Sequence, residues 1–331
     1  MLGAMAVVYS AAWFYVAGQV HDGIEGWADQ RRADGWRIAY RSLAIEGFPL
    51  AFRGRIEAPV FARQVGGAAV SWRGPAITIA VRPWHPRRLS LSFPGSHLFS
   101  RAGRQRTARL TAGTADAQVE LGEDGQVRVL RVALGALTVT PATDAPKTAI
   151  DKFDLTLDRP TAVQTDAPHQ RPLVRIKANV GGLVLPDGTR AALGPRIEAA
   201  GITVVLLGAI PAGPLAAALA GWRDNGGTLE VKRFRLAWAT LSLNAEGTLA
   251  LDRELQPMGV LTARIIGFRE TVDRLTANGI IRPRQAMTAK IVLGLLARGS
   301  PPEIKAPISA QDGGLYIGPV RLMGLPKVRW K

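Results

Sequence analysis

Leu89-Ser90-Leu91-Ser92-Phe93 alternates apolar and hydroxyl side chains at every position. Successive side chains on a strand point to opposite faces. This spacing therefore puts Leu89, Leu91 and Phe93 on one side and both serines on the other, as in a half-buried strand. The same period extends in both directions. Upstream, Ile77, Ile79 and Val81 alternate with Thr78 and Ala80, and Ile56, Ala58 and Val60 alternate with Glu57 and Pro59. Downstream it returns in Val127 to Leu134, in Phe153, Leu155 and Leu157, and in Val174, Ile176, Ala178 and Val180. Turn residues punctuate the pattern at Gly66-Gly67, Pro94-Gly95, Gly122 to Gly125, Pro141 to Pro146 and Pro186 to Gly188. The expected fold is mainly β with a few short helices (α+β), an extended, curved antiparallel sheet or a sandwich.

Helical spacing enters in the C-terminal third. Pro214 suits the first turn of a helix that shares Leu215, Leu219 and Trp222 on one face and stops at Asn225-Gly226. It resumes at Val272 and Leu275, and again at Met287, Ile291 and Leu295, between Pro283 and Gly299. Phe234, Leu236 and Trp238 lead into Leu241, Leu243 and Ala245 and next Leu249 and Leu251, a strand follows at Val260 to Ile266, and two more surround Asp312-Gly313-Gly314. Pairing of the last strands with those near residue 240 would fold the helices against one face of the sheet.

The N-terminus reads differently. Leu2 to Val20 is almost unbroken apolar sequence, with no charged side chain before Asp22. As a helix this run is about 30 Å long, enough for the hydrocarbon core of a bilayer. A cleaved signal peptide would carry a basic start and a small-residue cleavage site. Here no Lys or Arg precedes the run, and Trp13, Phe14 and Tyr15 lie where a signal tapers. A buried core helix would need only about ten to fourteen apolar residues. The run is therefore read as a transmembrane anchor over 1–20, continued by an amphipathic stalk helix over 21–35 that Gly35 closes. A β-rich region over 36–207 follows, then one with short helices over 208–331, continuous with the preceding sheet. The first basic residues after the run, Arg31 and Arg32, oppose an exported body under the positive-inside rule, which points to a basic tail upstream of Met1.

Composition narrows the chemistry. The chain has 331 residues, 47% of them hydrophobic, and no Cys, which removes disulfides, thiolate metal sites and cysteine nucleophiles together. The net charge of +16 comes mostly from scattered Arg, with modest clusters at Arg82, Arg87 and Arg88, at Arg101, Arg104, Arg106 and Arg109, at Arg282 and Arg284, and at Lys327, Arg329 and Lys331. Such a surface attracts anions, but no dense basic segment with interleaved aromatics argues for a specific nucleic-acid partner. The four His residues, His21, His85, His97 and His169, lack the spacing of a helical metal pair. Ser96 adjoins His97, but neighbours on a strand face opposite ways. No nucleophile elbow and no phosphate-binding glycine loop is present. Glu123-Asp124, Asp187-Gly188, Asp224-Asn225-Gly226 and the pair Asp252 and Glu254 fall in turns, where carboxylates serve the backbone. No catalytic, cofactor-binding or metal-ligating residue is singled out, and no cofactor is expected.

A resemblance adds to this reading. Trp27, Gly35, Tyr40, Gly47-Phe48-Pro49, Trp72 and Gly74-Pro75 follow the apolar start. Later come Gly247-Thr248-Leu249, Leu251-Asp252, Leu255-Gln256-Pro257, Gly259 and the run from Asp312 to Pro319. On these residues the chain resembles an uncharacterised alphaproteobacterial envelope family, domain of unknown function 2125, and more distantly the AsmA-like envelope proteins. The resemblance implies an inner-membrane, single-pass anchor with a β-rich body in the periplasm. It carries no catalytic motif. The function expected is a non-catalytic envelope module that binds a lipid, a glycolipid or an envelope protein. The alternative is an envelope hydrolase acting on glycan or lipid through scattered carboxylates.

Overall fold

The computed structural model describes residues 2–65, 67–102, 106–141, 146–160, 167–186, 193–298, 302–317 and 320–330, with the backbone alone at 2–4, 6, 106, 289, 292, 296, 298 and 320–323. Gly66, Arg104, the centre of the Pro141 to Pro146 turn, Asp187-Gly188, Gly299, Gly318-Pro319 and Lys331 lie outside the described residues. The chain is mainly β with a few helices, and the strand pairings are antiparallel. It divides into two compact units, Met1–Phe153 and Asp154–Lys331.

The first unit opens with α1, Leu2–Ala33, one continuous helix. Gly35 ends it at φ 83°, and the Trp36 N–H donates back to the Arg31 carbonyl, the pattern of a glycine-terminated helix. Five pairs of short strands follow. They are β1 (Arg37–Ala39) and β2 (Ser42–Glu46), β3 (Phe52–Glu57) and β4 (Val60–Val65), β5 (Ala68–Arg73) and β6 (Ala76–Arg82), β7 (His85–Ser92) and β8 (Gly95–Arg101), and β9 (Arg106–Ala112) and β10 (Thr114–Leu121). β11 is a single long strand, Val127–Pro141.

The register shows what the pairs are. β1 pairs β4, β4 pairs β5, β5 pairs β8 and β8 pairs β9, while β2 pairs β3, β3 pairs β6, β6 pairs β7 and β7 pairs β10. β11 joins both series, pairing β10 through 127–135 and β9 through 138–141. The unit is thus a meander of six long strands, five of them interrupted at the midpoint. The interruptions fall at Tyr40-Arg41, Ala58-Pro59, Gly74-Pro75, Phe93-Pro94 and Gly113, mostly Pro and Gly, and the uninterrupted β11 carries Gly135 and the positive-φ Ala136 along the same line. Proline offers no N–H to a ladder, so the pairing stops where it falls. The freed groups bond along the break instead, Ala58 N to Pro75 O and Gly74 N to Pro59 O. The stretch Ile56 to Val60, read from sequence as one strand, therefore splits at Ala58. Pro94-Gly95 is a break within a strand and not a reversal.

α1 lies across both series. Trp13 stacks on Phe52 of β3 at 5.1 Å, Trp27 meets Phe61 of β4 at 6.4 Å, and the Arg32 Nε donates to the Ile38 carbonyl of β1. A small buried cluster of Ala112, Ala115 and Leu137, with Phe93 and Leu110 against it, sits at the break.

The second unit is built of longer strands. β12 (Thr148–Asp158) leads into it, and β13 (Pro172–Val184), β14 (Arg196–Leu207), β15 (Thr228–Trp238), β16 (Leu241–Leu251) and β17 (Pro257–Ile266) follow. From β13 onward each pairs the next. β18 (Ala297–Arg298) and β19 (Glu303–Gln311) come next, with β20 (Gly314–Ile317) and β21 (Val320–Gly324) last. β19 pairs β17, so the C-terminal strands extend the sheet beyond β17 and do not reach the strands near residue 240. The glycines Gly247 of β16 and Gly259 of β17, each opposite a leucine of the neighbouring strand, have a steric reason. A Cβ at Gly247 would lie 2.2 Å from the Val260 carbonyl oxygen, and one at Gly259 2.2 Å from that of Thr248.

Helices cover part of this sheet. α2 (Leu215–Asp224) buries Trp222, whose indole donates to the Leu207 carbonyl at 2.7 Å. α3 (Phe268–Ala277) and α4 (Pro283–Leu296) close over Phe268, Ile304 and Ala306.

Candidate functional site

The apolar face of α1 does not fill the space beneath it. Between Tyr9, Ala12, Trp13, Val16, Val20 and Ile24 on the helix and Phe52, Gly54, Ile79 and Val81 on the sheet lies a groove of about 540 Å³. Its helix residues recur at the three- and four-residue spacing of one helix face, and its strand residues share one face of β3 and β6. The volume falls in the range of about 300–1,000 Å³ typical of small-ligand sites. Arg82, Pro83 and Pro86 of the β6–β7 hairpin close one end. The Trp13 side chain is 4% exposed, yet its Nε1 has no hydrogen-bond partner.

The rest of α1 is open. Met5, Val7, Val8 and Tyr15 are each 69% exposed and Phe14 62%. The loop after β2 meets this part of the helix: Tyr9 donates its hydroxyl to the Pro49 carbonyl at 2.5 Å, and Phe48 packs on Phe14 and Trp13, each at 5.5 Å. Gly47 makes that loop at φ 102°, where a Cβ would come within 2.6 Å of the Ala51 carbonyl oxygen. Among the described residues no helix is long and apolar enough to cross a membrane.

The opposite face of the same strands is cationic. Arg53, Arg82, Arg88 and Arg131 surround a cavity of about 600 Å³ floored by Ala51, Ala80, Ser90 and Gln118. The register aligns these positions: Arg53 lies opposite Ala80, Ala80 opposite Ser90, Ser90 opposite Gln118 and Gln118 opposite Arg131. Small residues in the middle of the row and arginines at its ends make the hollow. Glu120 on its edge accepts from Arg128 at 2.8 Å and approaches Arg88 at 3.5 Å. The Arg128 hydrogen bond holds the Glu120 carboxyl below the usual carboxylate range. Among the described residues Arg53, Arg82 and Arg131 have no ion-pair partner.

A third cavity, about 610 Å³, belongs to the second unit and gathers Asp252, Glu254 and Asp312 with Lys327. Asp252 Oδ1 accepts the backbone N–H of Glu254 and of Gln256, both at 2.8 Å, and Glu254 pairs with Lys327 at 3.0 Å. The tail is strapped along this cavity: Val328 N donates to Gln256 Oε1 at 2.8 Å and the Trp330 indole to the Leu255 carbonyl at 2.7 Å.

The histidines scatter. His21 is half-buried beside Asp22, His85 lines the cationic cavity, and His169 sits in a short helical turn. His97 is buried, stacked on Trp72 at 5.6 Å and bonded through Nε2 to the Phe93 carbonyl. Ser96 is exposed and faces the other way. Asp124 accepts the Gln126 N–H at 3.0 Å, as a turn carboxylate does. No group of three potential metal ligands occurs among the described residues. Sequence spacing brought Arg82 and Arg88 together but could not reach Arg53 or Arg131, which join them only through cross-strand register.

The profile of a bacterial family described as "Uncharacterized protein conserved in bacteria (DUF2125)" matches residues 13–326, and the chain belongs to this family. No curated protein and no solved structure matches the chain.

Proposed function

We propose that this member of the DUF2125 family is a membrane-attached, non-catalytic module of the cell envelope that holds a lipid acyl chain in the groove between α1 and the sheet. The carrying observation is the groove itself, apolar along both walls and continuous with a helix whose other faces are also apolar. An acyl chain gains about 0.8 kcal/mol for each methylene taken out of water, so a tail buried there is held firmly. Val7, Val8 and Tyr15 face outward without cover, which supports attachment of the N-terminal part of α1 to a bilayer. We place the protein at the inner membrane with its body in the periplasm.

The hydrolase alternative has its best support in the acidic cavity of the second unit. There Asp252 serves the turn and Glu254 is paired, which favours a structural role for both. A protein partner is favoured by a different feature, the stripe of Met287, Ile291 and Leu295 on α4, exposed by 69%, 58% and 72%.

The test is native mass spectrometry of the full chain extracted in mild detergent. Bound lipid is expected on the wild type, and Ala12→Trp, which fills the groove, should lower its occupancy severalfold. Lipid-free wild type, or equal occupancy in both proteins, defeats the reading.

A further inference from the structure

The tips of one strand series mark an edge of the first unit. β2 and β3 turn at 47–51, β6 and β7 at 83–84, and β10 and β11 at 122–126, all at the end opposite the break line. α1 reaches this same edge, because Tyr9, Trp13 and Phe14 contact the 47–51 turn. The exposed residues Met5, Val7 and Val8 belong to the turns of helix that precede those contacts. The tips carry apolar side chains that remain partly exposed, Phe48 at 46%, Leu50 at 65% and Trp84 at 54%. Immediately behind them lies the arginine cavity, and Arg82 lines both it and the apolar groove.

Aromatic side chains at a tip with cationic groups one layer behind match the two zones of a bilayer surface, acyl boundary and headgroup. We infer that the cavity formed by Arg53, Arg82, Arg88 and Arg131 takes the phosphate of an anionic lipid headgroup, with the tips at Phe48, Leu50 and Trp84 resting on the bilayer.

This inference rests on the lipid reading above and adds the headgroup class. Guanidinium groups offer paired N–H donors to phosphate oxygens, and Ser90 and Gln118 on the floor supply neutral donors. Counter-charge is sparse. Glu120 is engaged by Arg128 and Arg88, and Glu46, opposite Arg53 in the β2–β3 register, is the other carboxylate of this row. Arg82 is the hinge of the arrangement, since a headgroup held there leaves its tail at the mouth of the groove.

The full chain, extracted in mild detergent, is offered an equimolar mixture of phosphatidylglycerol and phosphatidylcholine, and the retained lipids are counted by native mass spectrometry. The wild type should retain phosphatidylglycerol preferentially, and the preference should shrink as salt rises. Each lost arginine should reduce it about fivefold, the equivalent of about 1 kcal/mol per charge at a membrane surface. Arg53→Gln, Arg82→Gln and Arg131→Gln combined should abolish it, while Arg82→Lys keeps most of it. Equal retention of both lipids by the wild type, or an unchanged preference in the triple variant, overturns the headgroup site and leaves the groove intact. Retention of neither lipid defeats the groove reading instead. Glycerol phosphate competing as well as phosphatidylglycerol would show a site for a soluble phosphate and overturn the lipid assignment.

Discussion

The two units carry cavities of nearly equal size, about 600 and 610 Å³, the first ringed by arginines and the second apolar along most of its lining, with Asp252, Glu254 and Asp312 as its acids. In the second unit the acids have work within the fold. Asp252 closes its turn through two backbone amides, and Glu254 ties down the tail through Lys327. In the first unit Arg53, Arg82 and Arg131 have no such partner among the described residues. A charge engaged by the backbone or by an opposite charge is explained by the fold. Three like charges gathered at a hollow repel one another, which is the feature the proposed headgroup phosphate would relieve. The difference in partners, more than the difference in sign, is what sets the two cavities apart.

The sharpest way to break this contrast is to remove one charge from each cavity. Asp252→Ala leaves the amides of Glu254 and Gln256 without their acceptor and should cost about 1–2 kcal/mol of stability in urea unfolding. Arg53→Gln should change stability by less than about 0.5 kcal/mol, because it deletes no intramolecular partner. Equal losses in the two variants would erase the distinction. A smaller effect sharpens it: Lys327→Ala removes a pair whose side chains are 77% and 70% exposed, and should cost no more than about 0.5 kcal/mol. The tail should stay in place through Val328 and Trp330.

The alternation around Leu89 to Phe93 made the β class legible, and the helices at 215–224, 268–277 and 283–296 followed from spacing, Pro and Gly. The break line was present in the sequence as Pro59, Pro75 and Pro94, but a proline within an alternating run looks the same whether the chain reverses or continues beyond it. Only the register, with β3 and β4 pairing different neighbours, tells the two apart. The cationic site was half legible. Arg82 and Arg88 are close in sequence, whereas Arg53 and Arg131 are brought in by pairings spanning dozens of residues. Lys327 read as one of a modest basic cluster with Arg329 and Lys331; its pairing with Glu254, far away in the chain, is not visible there. The apolar run at Leu2 to Val20 carried two uses that composition alone cannot separate. One face packs on Phe52 through Trp13 and borders the groove, and the other stays exposed.

The smallest effect concerns Glu120, the carboxylate at the edge of the arginine cavity. Its hydrogen bond from Arg128, aided by Arg88, holds its folded pKa below the unfolded value. A depressed carboxyl contributes stability that is complete above the unfolded pKa and is lost as pH falls through the folded one. Protonation also releases Arg88 and Arg128 from their shared partner. Acidification should therefore weaken the fold slightly and at the same time raise the preference for phosphatidylglycerol. Glu120→Gln should show the raised preference already at neutral pH and a flatter pH response than the wild type. Because other carboxylates titrate in the same range, the difference between the two proteins is the quantity to follow. Identical pH profiles would mean that Glu120 does not restrain the arginines, and the cavity would then be no different in kind from the paired acids of the second unit.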